Sequence, residues 1–200
     1  TAEAVRLATR RGTLRVCTRI TVRDKPGSKY PQIIDRVYVD AVEQIALFDA
    51  PEFDKIQNIV TAPYSYDLLI ARMEPENNIE TIIKGYLKKD CGRQLLLIGN
   101  HNGTSFGKYL HQTYSAHKSI VFLGAIYDMA VLDNLRYYSN LYFHGHSVGG
   151  TNPSLLEAMA CSCCIVAHDN IFNGSILNQD ALYFADENQL AAHLLADKRE

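Results

Sequence analysis

The chain has 200 residues, 47% of them hydrophobic, which is enough for one well-filled core or for one domain with part of a second. Its 20 basic and 22 acidic side chains leave a formal net charge of -2, which argues against a dominant nucleic-acid-binding surface. Five cysteines, three of them crowded at positions 161, 163 and 164, do not look like a secreted disulfide framework and point to a reducing compartment. They read as small apolar filler, because no matching set of zinc ligands lies near them. No apolar run approaches the roughly 18 residues of a membrane span. The chain opens at TAEAVR, without an initiator methionine or a signal-peptide pattern, and reads as a fragment or a processed start.

Residues 1–11 have a weak apolar side that predicts a short basic helix ended by Gly12. Leu14, Val16, Thr18, Ile20 and Val22 alternate with Arg15, Arg19 and Arg23, a period-two strand with a basic face, read as a solvated sheet edge rather than a nucleic-acid or membrane contact. DKPGS (24–28) signals a turn. Ile33 to Val39 favour strand, and Ala41 to Phe48 fit helix or strand. No motif stands out before residue 60. Those residues stay unassigned, as a linker or as the remnant of a preceding domain.

From Asp67 the pattern sharpens. Leu68–Ala71 is a buried strand, followed by a loop ARMEPENN (71–78) and a helix with Ile79, Ile82, Ile83, Tyr86 and Leu87 on one face. Leu95–Ile98 is a strand, Phe106 to Tyr114 a helix, Ile120–Leu123 a strand and Met129–Tyr138 a helix. Leu141–Phe143 is a strand leading into HGHSVGGTN, a helix over Ser154–Ala160 and a strand over Cys163–Ala167. HDNIFN (168–173) is a loop, Ala181–Phe184 a strand and Glu187–Lys198 a last helix. Such alternation predicts an α/β fold, a Rossmann-like parallel sheet with helices on both faces.

In such a sheet the binding crevice lies beyond the carboxyl ends of the strands. Arg72, Asn100, His101, Tyr127, His144, His146 and the 147–152 loop all follow strand ends and are predicted to share one rim. The loop has neither a P-loop lysine nor GxGxxG. Gly149 and Gly150 allow close backbone approach, and Thr151 and Asn152 stand at a helix start, so the loop reads as a diphosphate cradle or as an Asn-capped turn. Glu157, one turn into the helix, suits the vicinal hydroxyls of a ribose or is an exposed acid placed well against the helix dipole. Arg72 suits phosphate oxygens or a surface pair with Glu74 or Glu76. Asn77 and Asn78 suit a helix cap or the same phosphates. His144 and His146 suit acid–base work, an anion, or a backbone hydrogen bond.

Residues 67–190 resemble the nucleotide-sugar-binding half of a GT-B glycosyltransferase of the large retaining family, the glycosyl transferases group 1. ARMEPENN (71–78) stands where the family has a motif like GRLxPEKN, with Arg72 at the arginine and Asn77 at the lysine, both of which face the donor diphosphate in the family. GGTNPSLLEAMA (149–160) matches a form like EGFGLPLLEAMA, with Glu157 at the ribose-binding acid and Gly149 where the family has its first acid. HGHSVGGTNPSLLEAMA is similar to the bacterial rhamnosyltransferase-like subgroup that builds capsule and surface polysaccharides. HDNIFN falls at a family loop near sugar and diphosphate, which makes Asp169 and Asn170 candidates.

The resemblance implies a donor-binding domain over 61–200, binding a UDP- or dTDP-sugar with Arg72, Asn77, Gly149, Gly150, Thr151, Asn152, Glu157 and Asn170. It implies His146 and Arg72 as the catalytic candidates and neither a metal nor a tightly bound cofactor. The acceptor, a glycan or lipid-linked molecule, would be bound by an N-terminal domain absent from this chain, in a cytoplasmic enzyme at or near the inner face of the membrane. Two other readings stay open. One is a non-catalytic nucleotide-sugar-binding or assembly module, and the other is a GT-B-type nucleotide-sugar epimerase.

Overall fold

A computed structural model describes residues 51–148 and 152–196, together with the backbone of two strands, β1 (Thr13–Asp24) and β2 (Ile34–Ala46). β1 and β2 pair antiparallel. The stretch left between helix and strand is therefore strand as far as Ala46. The helix expected over 1–11, the turn at 25–28 and the side chains of the arginine face lie outside the described residues. The last helix, expected over Glu187–Lys198, ends earlier, at His193, where the chain turns at Leu194.

The remaining strands are β3 (Tyr66–Ile70), β4 (Gln94–Ile98), β5 (Ile120–Gly124), β6 (Tyr142–His144), β7 (Ile165–His168) and β8 (Leu182–Phe184). All pair in parallel, in the order β5-β4-β3-β6-β7-β8. The helices are α1 (Ile79–Leu87), α2 (Ser105–Tyr114), α3 (Met129–Tyr137), α4 (Pro153–Ala160), α5 (Ile171–Leu177) and α6 (Glu187–His193). None of the described helices is long and apolar enough to cross a membrane.

Alternation along β3 explains the layering. Leu69 faces one apolar layer with Ile79, Ile82 and Ile83 of α1, Leu110 of α2 and Leu190 of α6. Its neighbour Leu68 faces the other, with Leu132 and Leu135 of α3, Leu155 and Ala158 of α4, and Leu177 of α5. Both faces are buried, and strands such as LLLI (95–98) are accordingly apolar throughout. Burying each such side chain is worth roughly 1.5–3 kcal/mol.

The chain runs outward from β3 to β5, then crosses back to lay β6 on the other side of β3. The carboxyl ends of β3 and β6 thus flank a topological switch point, where a crevice is expected in a fold of this kind. At the opposite end, Asp67 is fully buried. Arg93 Nε lies 3.0 Å from its Oδ2, Tyr86 Oη donates to it at 2.7 Å and the Leu141 amide at 2.9 Å. The same groups hold the chain after α6: Arg93 donates to the Leu194 carbonyl at 2.7 Å, and Asn140 to that of Ala196 at 3.0 Å.

Two further expectations shift. HDNIFN is not all loop, because α5 begins at Ile171, capped by Asn170, whose Oδ1 accepts from the amides of Phe172 and Asn173. The strand expected from Cys163 begins at Ile165, because the chain leaves α4 through Ser162 at φ +54° and Cys163 still donates to the Ala158 carbonyl.

Candidate functional site

A cavity of about 500 Å³ opens at the switch point between β3 and β6. Of the residues singled out in the sequence, it gathers Arg72, Asn77, Asn100, Tyr127, His144, His146, Asn152 and Glu157. Gly149, Gly150 and Thr151 lie outside the described residues. Asn170 is not part of the cavity lining, and neither is His101, which stacks on His111 with ring centroids 4.4 Å apart.

One wall is the junction of the loops after β3 and β6. Pro75–Asn77 makes one 3-10 turn, and Asn78 leaves it at φ +49°, a left-handed conformation that asparagine tolerates. Asn78 Nδ2 donates to the Gly145 carbonyl at 2.8 Å, and the Ser147 amide donates to the Glu76 carbonyl at 3.0 Å. Gly145 is required by this contact, since a Cβ there would stand 2.0 Å from the Asn77 carbonyl oxygen.

Asn77 is buried inside the junction. Its Nδ2 donates to the Arg72 carbonyl at 2.8 Å, and its Oδ1 lies 2.8 Å from His146 Nδ1. The carbonyl of His146 accepts from Asn170 Nδ2 at 3.0 Å and from Asn173 Nδ2 at 3.1 Å. Both ring and backbone of His146 are therefore fixed by side-chain amides. Asn170 acts here as cap and strut. Burial and the nearby Arg72 guanidinium hold the His146 imidazole below its ordinary pKa, against the opposing pull of Glu76 and the Val148 backbone. His144 is buried more deeply and is pushed down to about 3 by desolvation, with His146 adding to the effect, so it is neutral at physiological pH.

Arg72 is exposed on the rim, and its side chain makes no ion pair with a described residue. The surface pair with Glu74 or Glu76 is not formed, which leaves the guanidinium available to an anion.

The opposite wall is α4 and the loop after β5. Asn152 caps α4, its Oδ1 accepting from the Ser154 amide at 2.9 Å, and Pro153 occupies the first helical position. Glu157 lines the cavity and pairs with Arg136 of α3, a residue the sequence reading passed over. Its signal was present: Leu132, Leu135 and Arg136 stand at i, i+3 and i+4, so the arginine shares the apolar face of its helix. Among the described residues no group of three metal-binding side chains occurs.

Residues 53–197 match the family model described as Glycosyl transferases group 1. The chain belongs to the glycosyl transferases group 1. Solved structures of similar fold agree with that family. The C-terminal domain of a glycosyl transferase group 1 protein (LpcC) from Francisella tularensis aligns with a TM-score of 0.54 at 19% identity, over 70% of this chain and 78% of that one. The Anabaena protein HepE in complex with UDP-glucose gives 0.61 at 17%, over 71% and 41%. Sucrose-phosphate synthase from Thermosynechococcus elongatus gives 0.57 at 22%, over 71% and 38%. At these identities the likeness establishes the fold, which is that of the C-terminal half of a glycosyl transferase group 1 protein. The chain spans less than half the length of HepE and of the synthase. No curated protein matches the sequence.

Proposed function

We propose that this chain is the donor-binding domain, residues 61–200, of a glycosyltransferase that moves a sugar from a nucleoside diphosphate sugar to a glycan or lipid-linked acceptor in polysaccharide synthesis. The observation that carries the reading is that one cavity at the switch point is lined both by Arg72, whose guanidinium makes no ion pair with a described residue, and by the carboxylate of Glu157. Diphosphate and ribose are the two polar parts of such a donor, and these are the groups that suit them. The HepE complex, whose fold this chain shares, holds UDP-glucose and supports the same ligand class.

In this reading Arg72, with Gly149, Gly150 and Thr151, which precede α4 in the sequence, receives the diphosphate and stabilises charge as it leaves. Asn152 keeps that helix end in place. His146, held by Asn77 and Asn170, stands beside the reacting sugar. The donor is a UDP- or dTDP-sugar and the sugar is rhamnose, on the likeness of HGHSVGGTNPSLLEAMA to rhamnosyltransferase-like enzymes. The acceptor is bound by an N-terminal domain of the whole enzyme, which works in the cytoplasm against the inner face of the membrane.

Calorimetric titration with UDP, dTDP and GDP tests this. Binding weakened roughly tenfold or more by Arg72→Ala and by Glu157→Ala, in line with charged hydrogen bonds, supports it. A folded chain that binds none of the three at millimolar concentration overturns it.

A second reading, a binding module without catalysis, draws on Gly149 at the position of the family's first acid and on Asn77 at that of its lysine. Asn77 spends its amide on Arg72 and His146. Transfer of sugar to a lipid-linked acceptor by the full-length enzyme, with release of the nucleoside diphosphate, excludes the second reading.

A further inference from the structure

Arg136 is 1% exposed. It projects from α3 into the apolar layer between helix and sheet, flanked by Leu132 and Leu135. A charge in such a place costs several kcal/mol unless it is paired. Nη1 donates to Asp133 Oδ1 at 2.8 Å on the same helix, and Nη2 donates to Glu157 Oε2 across to α4. The main chain of Arg136 is anchored as well, its carbonyl accepting from Ser139 Oγ at 2.7 Å and Cys163 Sγ at 3.2 Å. The guanidinium is thus a fixed part of the cavity wall.

Asp133 already supplies a countercharge from the same helix. The contact with Glu157 does something further: it ties down one carboxylate oxygen. The other, Oε1, accepts no hydrogen bond from a described residue, while Glu157 lines the cavity and is about a quarter exposed, at 28%. A carboxylate free to rotate would lose that freedom on binding a ligand, whereas a tethered one has already done so.

We propose that Arg136 is the positioning residue of this site: it holds Oε2 of Glu157 so that Oε1 is presented to the vicinal hydroxyls of a ribose, and the site therefore selects ribonucleoside diphosphates over their 2′-deoxy forms. The proposal rests on the reading of the cavity as a nucleotide-sugar site. Its physical basis is the asymmetry of polar recognition. An acceptor fixed for a hydroxyl is left partly unpaired by a ligand that lacks it, and that loss exceeds the gain of making the bond in water. A uridine or guanosine diphosphate meets the demand in full and a thymidine diphosphate meets half of it, so of the two donors proposed above this inference favours the UDP-sugar.

The test compares UDP, 2′-deoxy-UDP and inorganic pyrophosphate by calorimetry. The wild-type chain is expected to favour UDP over 2′-deoxy-UDP by roughly tenfold. Glu157→Ala should bring that ratio close to one. Arg136→Lys and Arg136→Gln, checked for folding by circular dichroism, should also bring it within about twofold of one while pyrophosphate affinity stays near wild type. A guanidinium that only supports the fold would weaken all three ligands alike and keep the ratio, which overturns the proposal. If Glu157→Ala leaves the ratio unchanged, the ribose reading of the cavity fails, whatever the Arg136 variants do.

A wild-type measurement guards against variants that do not fold. The guanidinium proton resonances of Arg136 should shift more on saturation with UDP than with 2′-deoxy-UDP. Equal shifts overturn the proposal.

Discussion

Asn77 fixes the protonation pattern of His146. Its Nδ2 is committed to the Arg72 carbonyl, so the atom it turns to His146 Nδ1, 2.8 Å away, is an oxygen. That nitrogen must be the donor, and the neutral ring carries its proton on Nδ1, with Nε2 as the acceptor. The two loops that follow β3 and β6 thereby impose a single tautomer on the histidine between them.

Asn77→Ala should release that choice. Nitrogen-15 spectra of the wild-type chain are expected to show His146 as the Nδ1–H form, and those of the variant a mixture with the Nε2–H form. The variant also leaves buried polar groups unpaired, so a loss of about 1–3 kcal/mol in stability is expected from denaturant unfolding.

His144 makes stability depend on acid. Its pKa is about 3 when folded against an ordinary 6.5, lowered by burial and by His146. Between those values the unfolded chain binds a proton that the folded chain does not, so stability rises with pH and is lost as pH falls from 6.5 toward 3. The slope from this one group is about 1.4 kcal/mol per pH unit. His144→Asn should flatten that limb, as read from urea midpoints at pH 4.5, 5.5 and 6.5.

Gly145→Ala is expected to cost about 1–3 kcal/mol, since the new methyl would press on the Asn77 carbonyl rather than on a side chain that can move aside. A thermal melt reads the loss. Titration with UDP should show weakened binding in the same variant, because the displaced loop carries His146.

Arg93→Ala leaves the Asp67 carboxylate buried without its cation. Burial already raises the pKa of that acid against the combined pull of Arg93, Tyr86 and the Leu141 amide. Breaking the pair should cost about 3 kcal/mol by chemical denaturation. UDP affinity of the folded fraction should stay within about twofold, because this network lies at the amino ends of the strands.

Much of this architecture is legible in the sequence. Ile79, Ile82, Ile83 and Tyr86 announce α1, and it buries all four together with Gly85, while Leu87 of the same stripe is only half-buried. The strands and their alternation with helices predict the parallel sheet, and the sheet predicts the rim on which Arg72, His146 and Glu157 meet. α5 was hidden because its pattern is inverted. Ile171 and Phe172 face solvent, while Asn173 is buried and spends its amide on the backbone of His146 and His168. Apolar periodicity cannot report a helix held by an asparagine. Arg136 was hidden for a related reason: on a helical face marked by Leu132 and Leu135, a charged residue reads as a boundary of the stripe, and its partner lies 21 positions along the chain. The internal partners of Asn77 and Asn170 were not legible either, because nothing in a linear pattern shows which donors the fold itself engages.

The Asp67 cluster has a consequence for how this domain tolerates change. Its charged network secures the turn after α6 to the end of the sheet farthest from the cavity. A share of the domain's robustness is thus supplied at the pole opposite the cavity, by residues that take no part in recognition. Surplus stability can be gained or lost at one pole without redrawing the ligand outline at the other. A lineage of such domains has more room to exchange an exposed rim residue such as Arg72 than Asn77 or Gly145, on which the packing of the rim loops rests.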